Sequence, residues 1–207
     1  MNTLAYYREE EKNSERHDPN EGIKRIFQMN RALLKCKNPK NGKSETLAKL
    51  TCGTGRIKSS AYDKVAIYSL FHFFIPEEEE NEVKLIDIVD ERVLHGFGDT
   101  AVIIHDAVDF VSRVKKASLK QGLIHARYSV KYEDINTRHG EVDIFEKDLS
   151  FSYQKELRIA AFDKEAVFDK ESEPGPMTLN IGSIKGIACL ISAQEVAEIT
   201  IEPCNSE

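Results

Sequence analysis

The sequence lacks a hydrophobic run long enough to cross a membrane. Its longest apolar stretch, Val65 to Ile75, is interrupted by Tyr68, Ser69 and His72, whereas a spanning helix needs about 20 predominantly apolar residues. The chain does not open with a secretory signal, because residues 2–8 are polar and aromatic and charges follow. We therefore expect a cytoplasmic protein without a membrane span.

Cysteine is scarce, and its spacing matches no known metal site. The four cysteines, Cys36, Cys52, Cys189 and Cys204, form no C-x-x-C pair, and a chain of 207 residues can bury a core without disulfides. We expect reduced thiols and no metal, with a zinc site at Cys36 and Cys52 as the alternative. Cys189, inside an apolar run, is expected in the core.

Glycine-rich phosphate loops are missing as well. The segment Gly53-Thr54-Gly55 has neither a third glycine nor a following Gly-Lys-Ser, so it is typical of a turn. His72 lies among phenylalanines, which favours a core histidine over a metal ligand. The sequence thus contains no motif of high specificity for a metal, a phosphate or a nucleophile.

The charge balance limits the classes of partner. Against 35 Asp and Glu the chain has 29 Lys and Arg, which gives a formal net charge of −6. Direct binding to nucleic acid is not expected, because it would require a local basic patch. Small molecules and other proteins are the partners that this composition favours.

Hydrophobic patterning predicts an α+β fold: a single domain over residues 1–207, with a mostly antiparallel or mixed sheet and one clear helix packed on it. The helix is expected from Ala107 to Gln121 with Asp106 as its N-cap, because apolar residues recur there every three or four positions. An acidic loop around 76–82 is expected as an insertion. The expected main strands are Lys64–Phe74, Leu123–Tyr132 and Leu157–Phe162.

Shorter segments give weaker patterns. Leu4–Arg8 predicts a strand by its aromatic content, and Thr100–Ile104 predicts a buried strand. The alternation in Leu123–Tyr132 predicts a core face that includes Ile124 and Tyr128. Val83–Val93 fits either a strand or a helix.

Three motifs carry a resemblance to a set of uncharacterised bacterial and phage proteins. Residues 2–8 read N-T-L-A-Y-Y-R, residues 16–22 read R-H-D-P-N-E-G and residues 153–158 read Y-Q-K-E-L-R. That set reads approximately N-T-L-x-Y-F-R, R-G-D-x-x-E-G and Y-Q-K-E-x-R. The chain departs from it at His17, where glycine is common, and in starting without the strand that usually precedes N-T-L.

A more distant similarity is to mono-ADP-ribosyltransferases, including toxins that modify DNA. It rests on the pair Gln154 and Glu156, on the N-terminal Arg8 and on Ser69 of a central strand. The resemblance implies that Arg8 holds the phosphates of NAD, that Ser69 supports the site, and that Glu156 holds a ribose hydroxyl and stabilises an oxocarbenium-like state. An arginine fork suits phosphate, and a carboxylate opposes developing positive charge. This hypothesis expects Glu156→Gln to preserve folding and to reduce turnover.

Each of these residues also has a purely structural interpretation. Arg8 would be a surface residue, and Ser69 a small residue in a buried strand. Glu156 would pair with Arg158 or Lys155 at a solvated sheet edge.

The favoured functional prediction from the sequence is a non-catalytic interaction or inhibitor protein of phage–host conflict. It would bind a host or defence protein through the acidic run Glu77, Glu78, Glu79 and Glu80, which could imitate phosphate charge before a basic groove. This function needs no cofactor, whereas the alternative, an ADP-ribosyltransferase-like enzyme, needs NAD. The alternative also requires Arg8 and Glu156 to converge on one cleft with Ser69 beneath them.

Overall fold

The structure is a computed structural model that describes residues 1–10, 17–29, 32–39, 42–50, 52–75, 82–169, 173 and 175–202. The predicted α+β class is confirmed: small antiparallel sheets are combined with helices, and one strand pair is parallel. No helix within the described ranges is long and apolar enough to cross a membrane.

The elements follow one another closely along the chain. The strands are β1 Asn2–Thr3, β2 Ile23–Gln28, β3 Ala32–Lys37, β4 Ser44–Leu50, β5 Thr54–Lys58, β6 Ala66–Phe71, β7 Val83–Lys84, β8 Thr100–Ile104, β9 Ile124–Ser129, β10 Lys131–Glu133, β11 Gly140–Glu141, β12 Glu146–Asp148, β13 Glu156–Phe162, β14 Ala188–Ser192 and β15 Thr200–Ile201. The helices are α1 Leu4–Glu10, α2 Ser60–Asp63, α3 Leu85–Ile88, α4 Glu91–Gly96, α5 Ala107–Lys120, α6 Lys164–Phe168 and α7 Ala193–Val196, and a 3₁₀ helix spans Leu149–Gln154.

The central sheet has the strand order β1-β6-β13-β9, so the three predicted main strands are direct neighbours. Strand β13 lies inside this sheet, and Ile159, Ala160 and Ala161 are fully buried on it. Side chains alternate between the faces of a strand, so Ile159 and Ala160 point to opposite sides. Both faces of β13 are therefore covered.

Helix α5 covers one face of the sheet, as predicted. Phe110 and Val114 of this helix are buried together with Ile159. The carboxylate of Asp106 caps the helix by accepting a hydrogen bond from Asp109 N at 2.9 Å. The 3.6-residue period of the sequence was sufficient to place this element.

The short helix α1 covers the opposite face, where a strand was predicted over Leu4–Arg8. After the two residues of β1, the Leu4 N–H donates to the Val65 carbonyl at 3.1 Å and the chain turns into a helix. Leu4 and Tyr7 are three residues apart, so one helical turn brings both against Val65 and Ala160. The strand prediction was wrong because it rested on aromatic content alone and did not use the i, i+3 spacing of Leu4 and Tyr7.

Strands β2 to β5 form a further antiparallel part of the fold. Strand β2 pairs with β5 and with the short β11, and β3 pairs with β4. Ile23 and Ile26 anchor β2 by packing against Ile135 and Val142. Where β3 ends and β4 begins, Asn38 N donates to the Lys43 carbonyl at 2.9 Å.

Several predicted burial patterns were wrong at strands that lie on edges. Val102 in β8 is 54% exposed, because β8 pairs only with β14 in a two-stranded sheet and one face of that sheet meets solvent. Cys189 in β14 is exposed for the same reason, and Tyr128 on the edge strand β9 is 62% exposed. His72 follows the end of β6 and is also exposed.

Candidate functional site

The three motif segments meet at one cavity on the face of the central sheet that carries α1. The cavity has a volume of about 150 Å³ and is lined by Tyr7, Asp18, Glu21, Ile67, Ser69, Phe97, Lys147, Gln154, Glu156 and Arg158. Six of these ten residues belong to the segments 2–8, 16–22 and 153–158. Residues that are far apart in the chain thus converge on a single polar site.

The register of the central sheet places four of the lining side chains side by side. Arg158 of β13 lies directly opposite Ser69 of β6, and such cross-strand partners point to the same face. Glu156 and Ile67 lie two residues away on their strands and therefore share that face. The same face is apolar at the end that packs on α1 and polar at the cavity.

An unusual backbone conformation at Lys155 brings Gln154 to the same cavity. The 3₁₀ helix ends at Gln154, and Lys155 adopts the left-handed conformation with φ of 40°. Non-glycine residues rarely adopt positive φ, and those that do cluster at functional sites. The side chain of Lys155 points elsewhere, with its ammonium group donating to the Ile88 carbonyl at 3.0 Å.

Arg158 is the centre of the charged network. Its side chain is 1% exposed, and its two terminal nitrogens donate hydrogen bonds to the carboxylate of Glu21 at 2.8 and 3.0 Å. Its Nε donates to Glu156 Oε2 at 2.9 Å, and Nη1 also donates to the Ile144 carbonyl at 2.5 Å. This planar fork fixes the two carboxylates relative to each other.

Glu156 is a buried, ionised carboxylate. Burial alone would raise its pKa, but the charges of Arg158 and Lys147, with hydrogen bonds from both, outweigh burial and hold the pKa at about 2. Ser69 Oγ donates to Oε2 at 3.0 Å, and Lys147 Nζ donates to Oε1. A carboxylate can accept about four hydrogen bonds. Ser69, Lys147 and Arg158 use three of these positions, which leaves one, on Oε1, for a ligand.

Lys147 holds the second oxygen of this carboxylate and the adjacent amide. Its ammonium group donates to Gln154 Oε1 at 2.7 Å and lies 4.0 Å from Glu21 Oε2. On the backbone side, Glu156 N donates to Tyr132 Oη at 2.8 Å. Gln154 and Glu156 are therefore held rigidly at the cavity wall.

Asp18 is the third carboxylate of the cavity and has a different environment. Its Oδ1 accepts from Asn20 N at 2.8 Å, and no ion pair within the described part of the chain involves it. Burial, and then the negative charge of Glu21, raise the pKa of Asp18 to about 6. The cavity therefore combines one carboxylate that is fixed in its ionised form with one that titrates near neutral pH.

Arg8 lies beside the cavity without lining it. Its Nη1 donates to Asp63 Oδ1 at 2.6 Å and to the Glu21 carbonyl at 3.4 Å. Gly22, with φ of 74°, passes close to this pair, since an added Cβ would lie 2.9 Å from Arg8 Nη1. The glycine of the second motif thus allows the chain to approach the ion pair.

The structure brings together three of the four residues that the enzymatic hypothesis named. Ser69, Gln154 and Glu156 line one cavity, whereas Arg8 is held by Asp63 next to it. Ser69 was expected to be buried in its strand, but it is exposed toward the cavity. The acidic residues Glu77, Glu78, Glu79 and Glu80 lie outside the described residues.

The structural interpretation of Glu156, a pair with Arg158 or Lys155 at a solvated edge, was correct in the pair with Arg158 and wrong in the solvated edge. The side chain does pair with Arg158, but Lys147 takes the place of Lys155, and Glu156 is 8% exposed rather than at a solvated edge. Lys147 carried no signal in the sequence. Asp18 and Glu21 did, because they are the acidic positions of the second motif.

The size and the lining of the cavity limit what it can hold. Among the residues that the structure describes, no cluster of three or more His, Cys, Asp or Glu could hold a metal ion. A volume of about 150 Å³ lies below the roughly 300–1,000 Å³ of sites that enclose a whole ligand. The lining includes both hydrogen-bond donors and acceptors, so it suits a small polar group that bears hydroxyls.

No known protein family, curated protein or solved structure matches the chain.

Proposed function

We propose that the cavity is the active site of an NAD-dependent enzyme similar to the mono-ADP-ribosyltransferases. The observation that carries the proposal is the convergence of Ser69, Gln154 and Glu156 on one cavity, with Ser69 Oγ donating to Glu156 at 3.0 Å. NAD would supply an ADP-ribosyl group. Its bond to nicotinamide breaks, nicotinamide leaves with the bonding electron pair, and a nucleophilic acceptor or water forms the new bond to the anomeric carbon, where positive charge develops in between.

The electrostatics of the cavity support this chemistry. Three carboxylates, on Asp18, Glu21 and Glu156, face the two cations of Lys147 and Arg158, so the cavity is net negative when all five are ionised. A fixed negative charge that is already oriented stabilises a developing positive charge without reorganisation. The remaining acceptor position of Glu156 would take a ribose hydroxyl.

The aromatic side chains support the binding of a planar ring. Tyr7 and Phe97 line the cavity together with its polar groups. Aromatic faces stack on flat heterocycles such as nicotinamide or adenine. A ligand that joins a sugar to such a ring would contact both kinds of surface.

Ser69→Ala tests the proposal with little risk to the fold, because Ser69 is exposed. The change removes the hydroxyl that orients Glu156, so we expect nicotinamide release from NAD to slow by about tenfold or more while NAD still binds. Ser129→Ala is the matched control, since Ser129 is an exposed serine of the same sheet that lies outside the cavity. Calorimetric titration measures binding, and a nicotinamide assay measures turnover. Equal turnover of the two variants would contradict the role of Ser69.

Glu156→Gln probes the central carboxylate, but the structure changes what is expected of the fold. The substitution removes the anionic partner that Arg158 and Lys147 share inside the protein. Breaking a buried ion pair costs roughly 3–5 kcal/mol, so we expect the free energy of unfolding to fall by about that amount. Its turnover therefore has to be measured where urea denaturation shows the variant to be folded. Turnover equal to that of the parent under those conditions would exclude Glu156 from catalysis.

The interaction protein of phage–host conflict stays a prediction from the sequence. An interaction protein of this kind requires no response to NAD. It would be favoured over the enzyme if the parent gave no calorimetric heat at millimolar NAD and released no nicotinamide. A host or defence protein would then be sought by affinity purification from a bacterial lysate.

A further inference from the structure

One continuous segment of the chain has a large net positive charge. Residues 23–58 contain ten Lys or Arg and one acidic residue, Glu45, which gives +9. The rest of the chain has 19 basic and 34 acidic residues, which gives −15. The net charge of −6 therefore conceals a strongly basic unit within an acidic protein.

The described strands of this segment, β2 with β5 and β3 with β4, form two antiparallel ladders that each contain one register shift and are named here the basic ribbon. Gln28 pairs with Thr54 in the β2–β5 ladder, and Ala32 pairs with Leu50 in the β3–β4 ladder. Between them, Met29 N donates to the Gly53 carbonyl at 2.9 Å. These pairs have the same register, although the two ladders belong to separate sheets.

The outer half of the basic ribbon has one lysine-rich face. Lys35 and Lys37 alternate on β3 and share a face, and the register places Lys49 beside them opposite Leu33. Ser44 and Thr46 lie opposite Lys37 and Lys35 on that same face. The only acidic residue of the segment, Glu45, lies opposite Cys36 on the other face.

Within the part of the chain that the structure describes, no acidic side chain neutralises these charges. Lys35, Lys37 and Lys49 are exposed, and none of them takes part in an ion pair with the residues that the structure describes. The described side chains of β3 and β4 are exposed on both faces, apart from the half-buried Ala48. A two-stranded hairpin of this kind is only marginally stable without a partner.

We propose that the lysine-rich face of the basic ribbon binds double-stranded DNA. A row of unpaired lysines matches a row of phosphates, and the major groove of B-form DNA, about 12 Å wide, admits a two-stranded ribbon. Double-stranded RNA fits less well because its major groove is deep and narrow. The sequence analysis made nucleic-acid binding conditional on a local basic patch, and the basic ribbon is such a patch. The proposal is independent of the reaction proposed for the cavity.

The test compares two triple variants of the full chain that remove the same charge. Lys35→Gln, Lys37→Gln and Lys49→Gln together remove three positive charges from the ribbon. Lys115→Gln, Lys116→Gln and Lys120→Gln together remove three exposed positive charges from α5 and are the matched control. Fluorescence anisotropy measures the Kd for a labelled DNA duplex of about 20 base pairs between about 50 and 200 mM NaCl. Circular dichroism shows that both variants are folded.

We expect the ribbon variant to bind DNA at least about tenfold more weakly and the α5 variant to stay within about twofold of the parent. Each lost phosphate contact lowers the slope of log Kd against log salt by about 0.9, so the ribbon variant should lose between two and three units of slope. Duplex RNA and poly-glutamate, which represents an acidic protein, should both bind the parent more weakly than DNA. The proposal is overturned by no DNA binding at about 50 mM NaCl, by equal losses in the two variants, or by tighter binding of RNA or poly-glutamate.

Discussion

A single side chain, the guanidinium of Arg158, determines how the cavity is built. It joins Glu21 from the second motif to Glu156 from the third, with hydrogen bonds of 2.8 to 3.0 Å. Burial alone would lower the pKa of Arg158, but Glu21 and Glu156 raise it, so the group stays charged inside the protein. Because two sequence-distant carboxylates share one cation, the position of each depends on the other.

Arg158→Met should therefore destabilise the fold strongly. The substitution leaves Glu21 and Glu156 buried without their common partner, which costs about 3–5 kcal/mol. Arg113→Met is a suitable control, because Arg113 pairs with Asp109 at the surface of α5, where solvent screens the pair, so its loss should cost much less. Urea denaturation measures both free energies of unfolding. Similar losses in the two variants would contradict the central role given to Arg158.

At the scale of an element, α5 was the most predictable part of the chain. Its apolar period, its N-cap Asp106 and its basic last turn all indicate the same element, and it ends within one residue of the expected boundary. The three main strands were also placed, because β6, β9 and β13 are long enough to show a pattern. Consistent local signals explain this success.

Other elements could not be predicted because tertiary contacts decide them. Val83–Val93, which fits either a strand or a helix by its sequence, contains the short strand β7, then α3 and the start of α4. None of these elements is long enough to show a clear hydrophobic period. Leu4–Arg8 is helical because its packing on Val65 outweighs aromatic strand propensity. Edge exposure, as at Val102, depends on the number of strands in a sheet, which a single strand does not encode.

Val114→Asp should cost several kcal/mol, because it places an unpaired charge between α5 and the central sheet. Val108→Asp on the same helix is the matched control, since Val108 is 82% exposed and its replacement should change stability by less than about 0.5 kcal/mol. Thermal denaturation of both variants checks the prediction. A Val114→Asp protein with the same melting temperature as the parent would contradict the packing of α5 on the central sheet.

For the whole molecule, the carboxylates of the cavity give opposite dependences of stability on pH. Glu156 has its pKa lowered to about 2, so its contribution is present above its ordinary value of 4.5 and is lost as pH falls through 2. Asp18 has its pKa raised to about 6, so its contribution is full below 3.8 and is lost as pH rises through 6. The shift of Asp18 corresponds to about 3 kcal/mol.

We therefore expect the parent to lose about 2–3 kcal/mol of stability between pH 4 and 7 relative to Asp18→Asn. Asparagine keeps an oxygen that can accept from Asn20 N, but it cannot ionise. Urea denaturation of both proteins at several pH values gives the difference. Parallel stability curves would show that Asp18 does not titrate in this range.

The candidate site was predictable only in part. Ser69, Gln154 and Glu156 were named from the sequence, and the sheet register brings them to one cavity. Lys147 and Phe97 could not be named, because they reach the cavity from β12 and from the end of α4 without a motif of their own. The charge of residues 23–58 was present in the sequence but was hidden by the net value of the whole chain.

The most direct measurement of the central claim is an amide NMR titration of the isotopically labelled protein with NAD. If the cavity binds NAD, the amide signals of Tyr7, Ser69, Phe97 and Glu156 should shift together and saturate at one Kd, while those of Lys116 and Lys120 stay fixed, because α5 lies on the opposite face of the sheet. No saturable shift at millimolar NAD, or shifts confined to residues outside the cavity, would contradict the account.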